Sequence, residues 1–208
     1  MSAEARRILD DVCNRLTAMA DDPPFRFVGT PSRDAESYLQ RMRTFLGYPE
    51  EEITRAEQRL GVIFPAVFRQ FLLLMGKQRG ELLVGSDGAG LEDFEEFRAE
   101  AIQLMAESGA DVPLPANAVV FLFHQGYSFA FLVADGTFDS AVHQYTEGDN
   151  RASVVAPGFA PFLDAELGLA EQVHRQDHEQ GGYDLTVAGQ SVIRTYPALN
   201  SGDRPLET

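Results

Sequence analysis

Two histidines one helical turn apart form the arrangement best suited to metal chemistry. In "EQVHRQDHE", residues 171–179, His174 and His178 are four positions apart, and Glu171 precedes His174 by three. On an α-helix these side chains share one face, and imidazole and carboxylate groups are zinc ligands. Position 175 is Arg, so the segment lacks the Glu that directly follows the first His in zinc proteases. The alternatives are a metal-dependent hydrolase and a solvated helix end; we favour the latter and predict no cofactor.

Two further segments resemble catalytic motifs only in part. "GSDGAG" carries Gly85, Gly88 and Gly90, but this spacing fits neither the dinucleotide fingerprint nor the P-loop, and no Lys-Ser/Thr pair follows. "GYSFA" around Ser128 ends in Ala130, where a nucleophile elbow has Gly, and a strand pattern continues after it. We interpret the first segment as a loop and Ser128 as a small residue on a sheet face. The sequence therefore predicts no catalytic residue, and we expect a protein that is not an enzyme.

Acidic side chains are the other group whose placement could serve a function. One cluster lies at a predicted helix start, where the helix dipole stabilises negative charge, and the others lie on loops or strand ends. If these segments converge, they form an acidic face that binds a partner. The residues of this hypothetical face are Asp87, Glu92, Asp93, Glu95, Glu96, Glu147 and Asp149.

The charge of the chain is strongly negative and unevenly distributed. The net charge is −15, yet residues 1–49 hold equal numbers of basic and acidic side chains, so the whole excess lies in residues 50–208. Such a field repels nucleic acid and anionic membranes and attracts basic partners. Cys13 is the single cysteine, which excludes a disulfide framework and a thiolate zinc site. With no long apolar run and no signal-peptide pattern at the start, we expect a cytoplasmic protein.

Secondary-structure elements must position these residues. Along the chain, the spacing of the apolar residues changes from the helical period to the alternation that is typical of strands. Helices are predicted at 2–20, 32–46, 50–60, 65–75, 91–109 and 156–176, and strands at 80–85, 118–123, 127–134 and 140–146. The last three strands are joined by short turns, which predicts an antiparallel meander. Because helices and strands occur in separate runs, the fold class is α+β, with N-terminal helices, a central meander packed by helices, and a C-terminal helix. The tail at 196–208 is predicted to be irregular.

The stretch "ITRAEQRLGVIFPAVFRQFLLLMG", residues 53–76, predicts a helical hairpin without polar chemistry. Gly61 lies where a helix C-terminus favours a left-handed residue, and Pro65 is suited to the first position of the next helix. The second helix is apolar almost all round and should be buried.

This hairpin resembles the signature of the SUKH superfamily, which includes bacterial immunity proteins and fungal cell-wall-synthesis regulators. The residues that carry the resemblance are Ile53, Glu57, Leu60, Gly61, Pro65, Phe68, Phe71, Leu72 and Gly76. Later segments are also similar: "FLFHQGYSFAFLVADG" to the central hairpin, "AVHQYTEGD" to the following strand and "GFAPFLDAEL" to the closing helix. Where the last helix begins, Pro157-Gly158 stands in place of the expected Ser cap.

The resemblance implies a binding module. The range of the resemblance predicts a SUKH-like domain over 50–168, a helical extension over 1–49, and a helix end with an irregular tail over 169–208. The three parts are expected to form one structural unit. SUKH proteins are not known for a catalytic site, so the signature residues are expected to be structural. In bacteria such domains commonly neutralise a toxin domain, often a nuclease, and the acidic face would suit a basic toxin. A scaffold or regulatory module that binds an endogenous partner is the alternative.

Overall fold

A computed structural model of the chain describes residues 2–23, 26–27, 33–179, 185–187 and 190–193. The helices are α1 (Ala3–Asp21), α2 (Arg33–Met42), α3 (Glu50–Leu60), α4 (Ala66–Met75), α5 (Phe94–Glu107) and α6 (Phe159–Glu179). The strands are β1 (Arg26–Phe27), β2 (Phe45–Leu46), β3 (Gln78–Arg79), β4 (Asp87–Gly88), β5 (Ala118–His124), β6 (Ser128–Val133), β7 (Val142–Thr146), β8 (Ser153–Ala156), β9 (Leu185–Val187) and β10 (Gln190–Ile193).

The main sheet is antiparallel and has the strand order β4-β5-β6-β7-β8. This sheet contains the predicted meander. Together with the N-terminal helices and the C-terminal helix, the sheet confirms the α+β class. A two-stranded sheet, β2-β3, and a three-stranded sheet, β1-β10-β9, complete the described strands.

Each face of the main sheet buries a separate apolar cluster, because side chains alternate along a strand. On one face, Ala130 and Leu132 of β6 pack with buried residues of α1, α3, α4 and α6. On the other, Phe129 and Phe131 of the same strand pack with Ala101 and other residues of α5. The sheet therefore lies between a helical layer on one side and α5 on the other.

Helix α1 belongs to the first of these clusters. Ala5, Leu9, Val12 and Leu16 are all buried there, at the helical spacing that the sequence pattern indicates. At its far end, α1 is tied to α6 by Arg15, whose Nε donates to Glu171 Oε1 at 2.8 Å. Among the helices of the described ranges, none combines the length and hydropathy of a membrane-spanning segment.

Three predictions about these elements differ from the structure in ways that have a clear physical reason. The expected strand over 80–85 is a series of turns, because Gly80, Leu83 and Gly85 have positive φ angles that an extended chain cannot continue. Leu82 and Leu83 are still buried, so the apolar pair fills the core from a turn. The predicted helix over 32–46 ends at Met42, and Phe45–Leu46 pairs as β2 with β3.

Pro65 is the third case, since it precedes α4 as its N-cap instead of opening it. The strands β1, β3, β8, β9 and β10 were also not predicted. Within the predicted loop "GSDGAG", Asp87–Gly88 forms the short edge strand β4. The predicted tail at 196–208 lies outside the described residues.

Candidate acidic binding surface

Three of the four acids at the start of α5 are bound within the chain. The Asp93 carboxylate accepts from the Gly90 N–H at 2.8 Å, and Glu95 pairs with Arg59 at 2.6 Å. Glu92 accepts from the Tyr48 hydroxyl at 3.3 Å. Glu96 is exposed and has no hydrogen bond or ion pair with the described residues. The acidic cluster at the start of α5 is thus partly neutralised. Its contacts with Arg59 and Tyr48 also hold α5 against α3 and against the segment that precedes α3.

Glu147 and Asp149 lie on the exposed turn between β7 and β8. The Asp149 carboxylate accepts from the Thr146 N–H at 3.3 Å, which closes the turn, while the Glu147 side chain is exposed. Beside them lies an open depression of about 430 Å³, lined by Gly148, Asp149, Asn150, Arg151 and Ser153.

Asp87 lies on the opposite edge of the main sheet. The strand registers align Asp87 with Phe123, Phe123 with Phe129, and Phe129 with Tyr145. Three strand spacings separate Asp87 from β7, which is about 14 Å. Asp87 also faces Arg79, whose pKa is lowered by burial and raised in part by this nearby carboxylate.

Helix α5 connects the two groups of acids, a relationship that the sequence pattern did not reveal. Its 14 residues span about 20 Å, so the acids at its start and those of the β7–β8 turn are well separated. Beyond the end of α5, the Asp111 N–H donates to the Asn150 carbonyl at 2.8 Å, which brings the helix end against the turn. Exposed acids bridge the interval, namely Glu100, Glu107 and Asp111.

We call this surface the acidic band. It comprises Glu92, Glu95, Glu96, Glu100, Glu107, Asp111, Glu147 and Asp149. Glu107 lies in the last turn of α5, which contains no basic residue. Negative charge at a helix C-terminus opposes the helix dipole, although Glu107 also accepts a hydrogen bond from Gln103 Nε2 at 2.7 Å within the helix. In the sequence, the helical spacing of Glu96, Glu100 and Glu107 is the signal from which this part of the band could have been predicted.

The candidate metal ligands are bound to other groups. Both carboxylate oxygens of Glu171 accept from Arg15, at 2.8 and 2.9 Å, which lowers the pKa of this carboxyl. The Nε2 atoms of His174 and His178 lie 2.7 and 3.1 Å from the Asp22 carbonyl oxygen at the end of α1. A carbonyl only accepts, so both rings carry hydrogen on Nε2. Among the described residues, no three His, Cys, Asp or Glu side chains form a cluster able to hold a metal ion.

The other singled-out polar residues have structural partners. Ser128 is buried, and its hydroxyl donates to the Tyr145 carbonyl at 2.9 Å. His124 Nδ1 lies 3.1 Å from the Ser86 hydroxyl. His143 stacks on Phe131, and burial lowers its pKa.

The residues of the helical hairpin form its core and its turn. Ile53, Phe68, Phe71 and Leu72 are buried, and Gly61 ends α3 in the left-handed conformation with φ of 66°. The Glu57 carboxylate accepts from the Phe64 N–H at 2.9 Å, just before α4.

A Cβ on Gly76 would lie 2.8 Å from both the Leu72 carbonyl oxygen and the Tyr48 ring, so only glycine fits there without a shift. The sequence profile of the SMI1/KNR4 family (SUKH-1) matches residues 47–165, more than half of the chain. The chain belongs to the SMI1/KNR4 (SUKH-1) family.

The matched range contains the helical hairpin, the main sheet, α5 and the first turns of α6. The acidic band lies entirely within it, whereas α1 and the His174–His178 pair lie outside it. SUKH domains bind partner proteins and are generally immunity proteins without catalytic activity, and an immunity-like binding module is consistent with this membership. A comparison with the curated proteins found no match for this chain.

Proposed function

We propose that this SUKH-1 protein is a cytoplasmic, non-catalytic immunity protein that neutralises a basic toxin domain through its acidic band. The band occludes the active site or the substrate-binding surface of the toxin, and no chemical turnover occurs. A nuclease is the favoured toxin class, because nucleases hold phosphates on basic surfaces that an acidic protein can cover in their place.

One observation carries the proposal: the acids of α5 extend to its C-terminal end at Glu107, and just beyond it the Asp111 N–H donates to the Asn150 carbonyl of the β7–β8 turn. Acids at both ends of the exposed face of one helix form an extended negative surface about 20 Å long. Such a surface speeds encounter with a basic protein and repels nucleic acid and anionic membranes. We propose Asp93, which lies between Glu92 and Glu95 in the sequence, and Asp87, on the β4 edge of the main sheet, as peripheral contacts.

The first experiment identifies the partner. The tagged protein is used to capture partners from its native host at low and high salt, with identification by mass spectrometry. We expect one basic protein, retained at low salt and weakened at high salt. Protection of growth when its toxin domain is co-expressed with this chain would establish immunity. Capture of a housekeeping protein, without protection against any toxin, would favour a scaffold or regulatory module.

The second experiment tests the surface. In one variant Glu96, Glu100 and Glu107 are changed to Lys; in a matched control Glu4, Glu36 and Glu51, exposed acids of α1, α2 and α3, are changed to Lys. Both variants change the net charge equally, so long-range attraction is weakened to a similar extent. We expect the α5 variant alone to lose about tenfold or more in association rate at low salt. Equal losses in the two variants would show that net charge acts without this surface.

The metal-hydrolase hypothesis has a separate test. The contacts of Glu171, His174 and His178 favour a role in joining α1 to α6. Metal analysis of the purified protein should find no stoichiometric zinc or manganese. A stoichiometric metal that is lost in the His174→Ala variant would instead support the metal-dependent hydrolase.

A further inference from the structure

A cavity of about 200 Å³ lies between the starts of α1 and α4 and the β6–β7 connection. Phe64, Ala66 and Leu73 supply apolar wall, and Ser2, Arg69 and Gln70 supply polar wall. The β6–β7 connection and the β7–β8 turn lie at opposite ends of β7, so this cavity is separate from the acidic band.

The Gln70 side chain is the unusual feature of this cavity. Gln70 is only 3% exposed, yet its amide makes no hydrogen bond with the described residues. A primary amide offers two donors and an acceptor. Among the described residues, the Tyr145 hydroxyl is the side-chain polar atom that is both fully enclosed and unpaired, so the unpaired Gln70 amide reaches solvent through the cavity. Because Gln70 lines the cavity, an occupant of the cavity can satisfy it.

Arg69, which also lines the cavity, excludes charged occupants. Its Nη1 donates to Glu50 at 2.7 Å, its Nη2 to Thr54 at 3.2 Å and its Nε to Glu57 at 3.4 Å. The guanidinium is therefore already paired with two carboxylates and has no free counter-charge for a third. An ammonium or second guanidinium would have to compete with Arg69 for the Glu50 and Glu57 carboxylates. A neutral polar group fits this wall better than either charge.

The size of the cavity selects the kind of occupant. Pockets for small-molecule ligands are about 300–1,000 Å³, and one water takes up about 30 Å³. A cavity of about 200 Å³ lies between these values, so it has room for one amino-acid side chain but is small for a drug-sized ligand.

The loops around the cavity point to a protein as the source of that side chain. Ile63 is 65% exposed and Phe138 is 42% exposed. They come from the two segments that supply Phe64 and Gly136 to the cavity, and the Gly136 N–H donates to the Ile63 carbonyl at 2.9 Å. Exposed apolar side chains beside a concave site are typical of protein–protein contacts.

We propose that this cavity is an anchor pocket for a carboxamide side chain, Asn or Gln, presented by a loop of a partner protein. The incoming amide pairs with the Gln70 amide, donor to acceptor and acceptor to donor, while its methylenes contact Phe64 and Leu73. The inference rests on the proposed function only in taking the partner to be a protein.

The test uses the full chain and three blocked amino acids: the N-acetyl N-methylamides of glutamine, glutamate and leucine. Binding is followed by NMR at the Gln70 side-chain NH₂ and the Leu73 methyl groups. We expect a saturable shift with the glutamine compound, and binding about three- to tenfold weaker with the other two, the effect of one neutral hydrogen bond. Because the probe is uncharged, its affinity should not depend on salt, unlike the acidic band.

Gln70→Leu should remove the preference for glutamine over leucine. If that variant does not fold, the comparison of the three compounds on the unmodified protein decides alone. No saturable shift at Gln70 and Leu73, or equal affinity for the three compounds, would overturn the anchor pocket. Neither outcome would affect the acidic band, whose test is the salt-dependent charge reversal.

Discussion

Asp139 caps the start of α6 from 20 residues away, with its Oδ1 atom 2.7 Å from the Phe159 N–H. Its Oδ2 accepts from the Ala160 N–H at 3.1 Å. The first N–H groups of a helix have no partner within the helix, and a carboxylate there also interacts favourably with the helix dipole. The Ser cap missing from Pro157-Gly158 is thus replaced by a residue of the β6–β7 connection.

Asp139→Ala should therefore lower the free energy of unfolding by about 1–2 kcal/mol. Asp139→Asn keeps one acceptor oxygen and should lose about half as much. Urea unfolding of both variants measures the effect, and Glu147→Ala, an exposed acid with no such role, is the control. A loss in Asp139→Ala no larger than in the control would contradict the capping role.

Gly158 should not tolerate alanine, because a Cβ at this position would collide with the Asp139 carboxylate. Gly158→Ala displaces the cap, so its effect should overlap with that of Asp139→Ala. In a double-mutant cycle measured by urea unfolding, we expect the double variant to lose less than the sum of the two single losses. Strict additivity would mean that the two residues act independently.

Glu57 joins the two helices of the hairpin. Glu57→Ala leaves the Phe64 N–H without its acceptor and removes a partner of Arg69, so we expect a loss of about 2 kcal/mol in unfolding free energy. Glu57→Gln can still accept from Phe64 and should lose less. Thermal and urea unfolding compare the two variants, and equal losses would argue against the Phe64 contact as the main contribution.

The Arg15–Glu171 pair should make stability depend on acidic pH. Arg15 lowers the folded-state pKa of Glu171 below its usual value of 4.5, so the stabilisation is fully present above that value. It is lost as pH falls through the lower folded-state pKa. Both side chains are about a third exposed, so we expect only about 1 kcal/mol at neutral pH.

Arg15→Ala should remove this contribution and flatten the corresponding pH dependence of unfolding below pH 4.5. Arg15→Lys keeps the charge but not the pair of hydrogen bonds to the Glu171 carboxylate. The pH dependence of its unfolding should therefore lie between that of the wild type and that of Arg15→Ala. Parallel pH profiles for the wild type and Arg15→Ala would count against the pair.

The Cys13 thiol should be unreactive in the folded protein. Burial, with a further contribution from Asp10, raises its pKa to about 11. The thiolate is the reactive form, so at pH 8 alkylation by iodoacetamide should be about a hundredfold slower than in the urea-unfolded chain. Cys13→Ser is the blank for this measurement. Equal rates in the folded and unfolded states would place Cys13 in an open environment.

The sequence by itself determined the elements whose physical causes are local. Gly61 ends α3 because only a residue without a Cβ adopts its left-handed conformation at no cost, and the helical spacing of Leu9, Val12 and Leu16 predicts the buried face of α1. Alternating side chains and short turns likewise predict β5, β6 and β7. These local signals were enough to predict the α+β class, and the resemblance of residues 53–76 to the SUKH signature predicted the family.

The tertiary structure decided the features that depend on residues distant in the chain. β4 is two residues long and exists only because it pairs with β5. Asp139 caps α6 only because the sheet brings the β6–β7 connection to that helix. The acidic band likewise depends on the Asp111–Asn150 contact, which joins acids from α5 and the β7–β8 turn. Periodicity describes which neighbours in sequence share a face, whereas these contacts arise only when separate faces pack together.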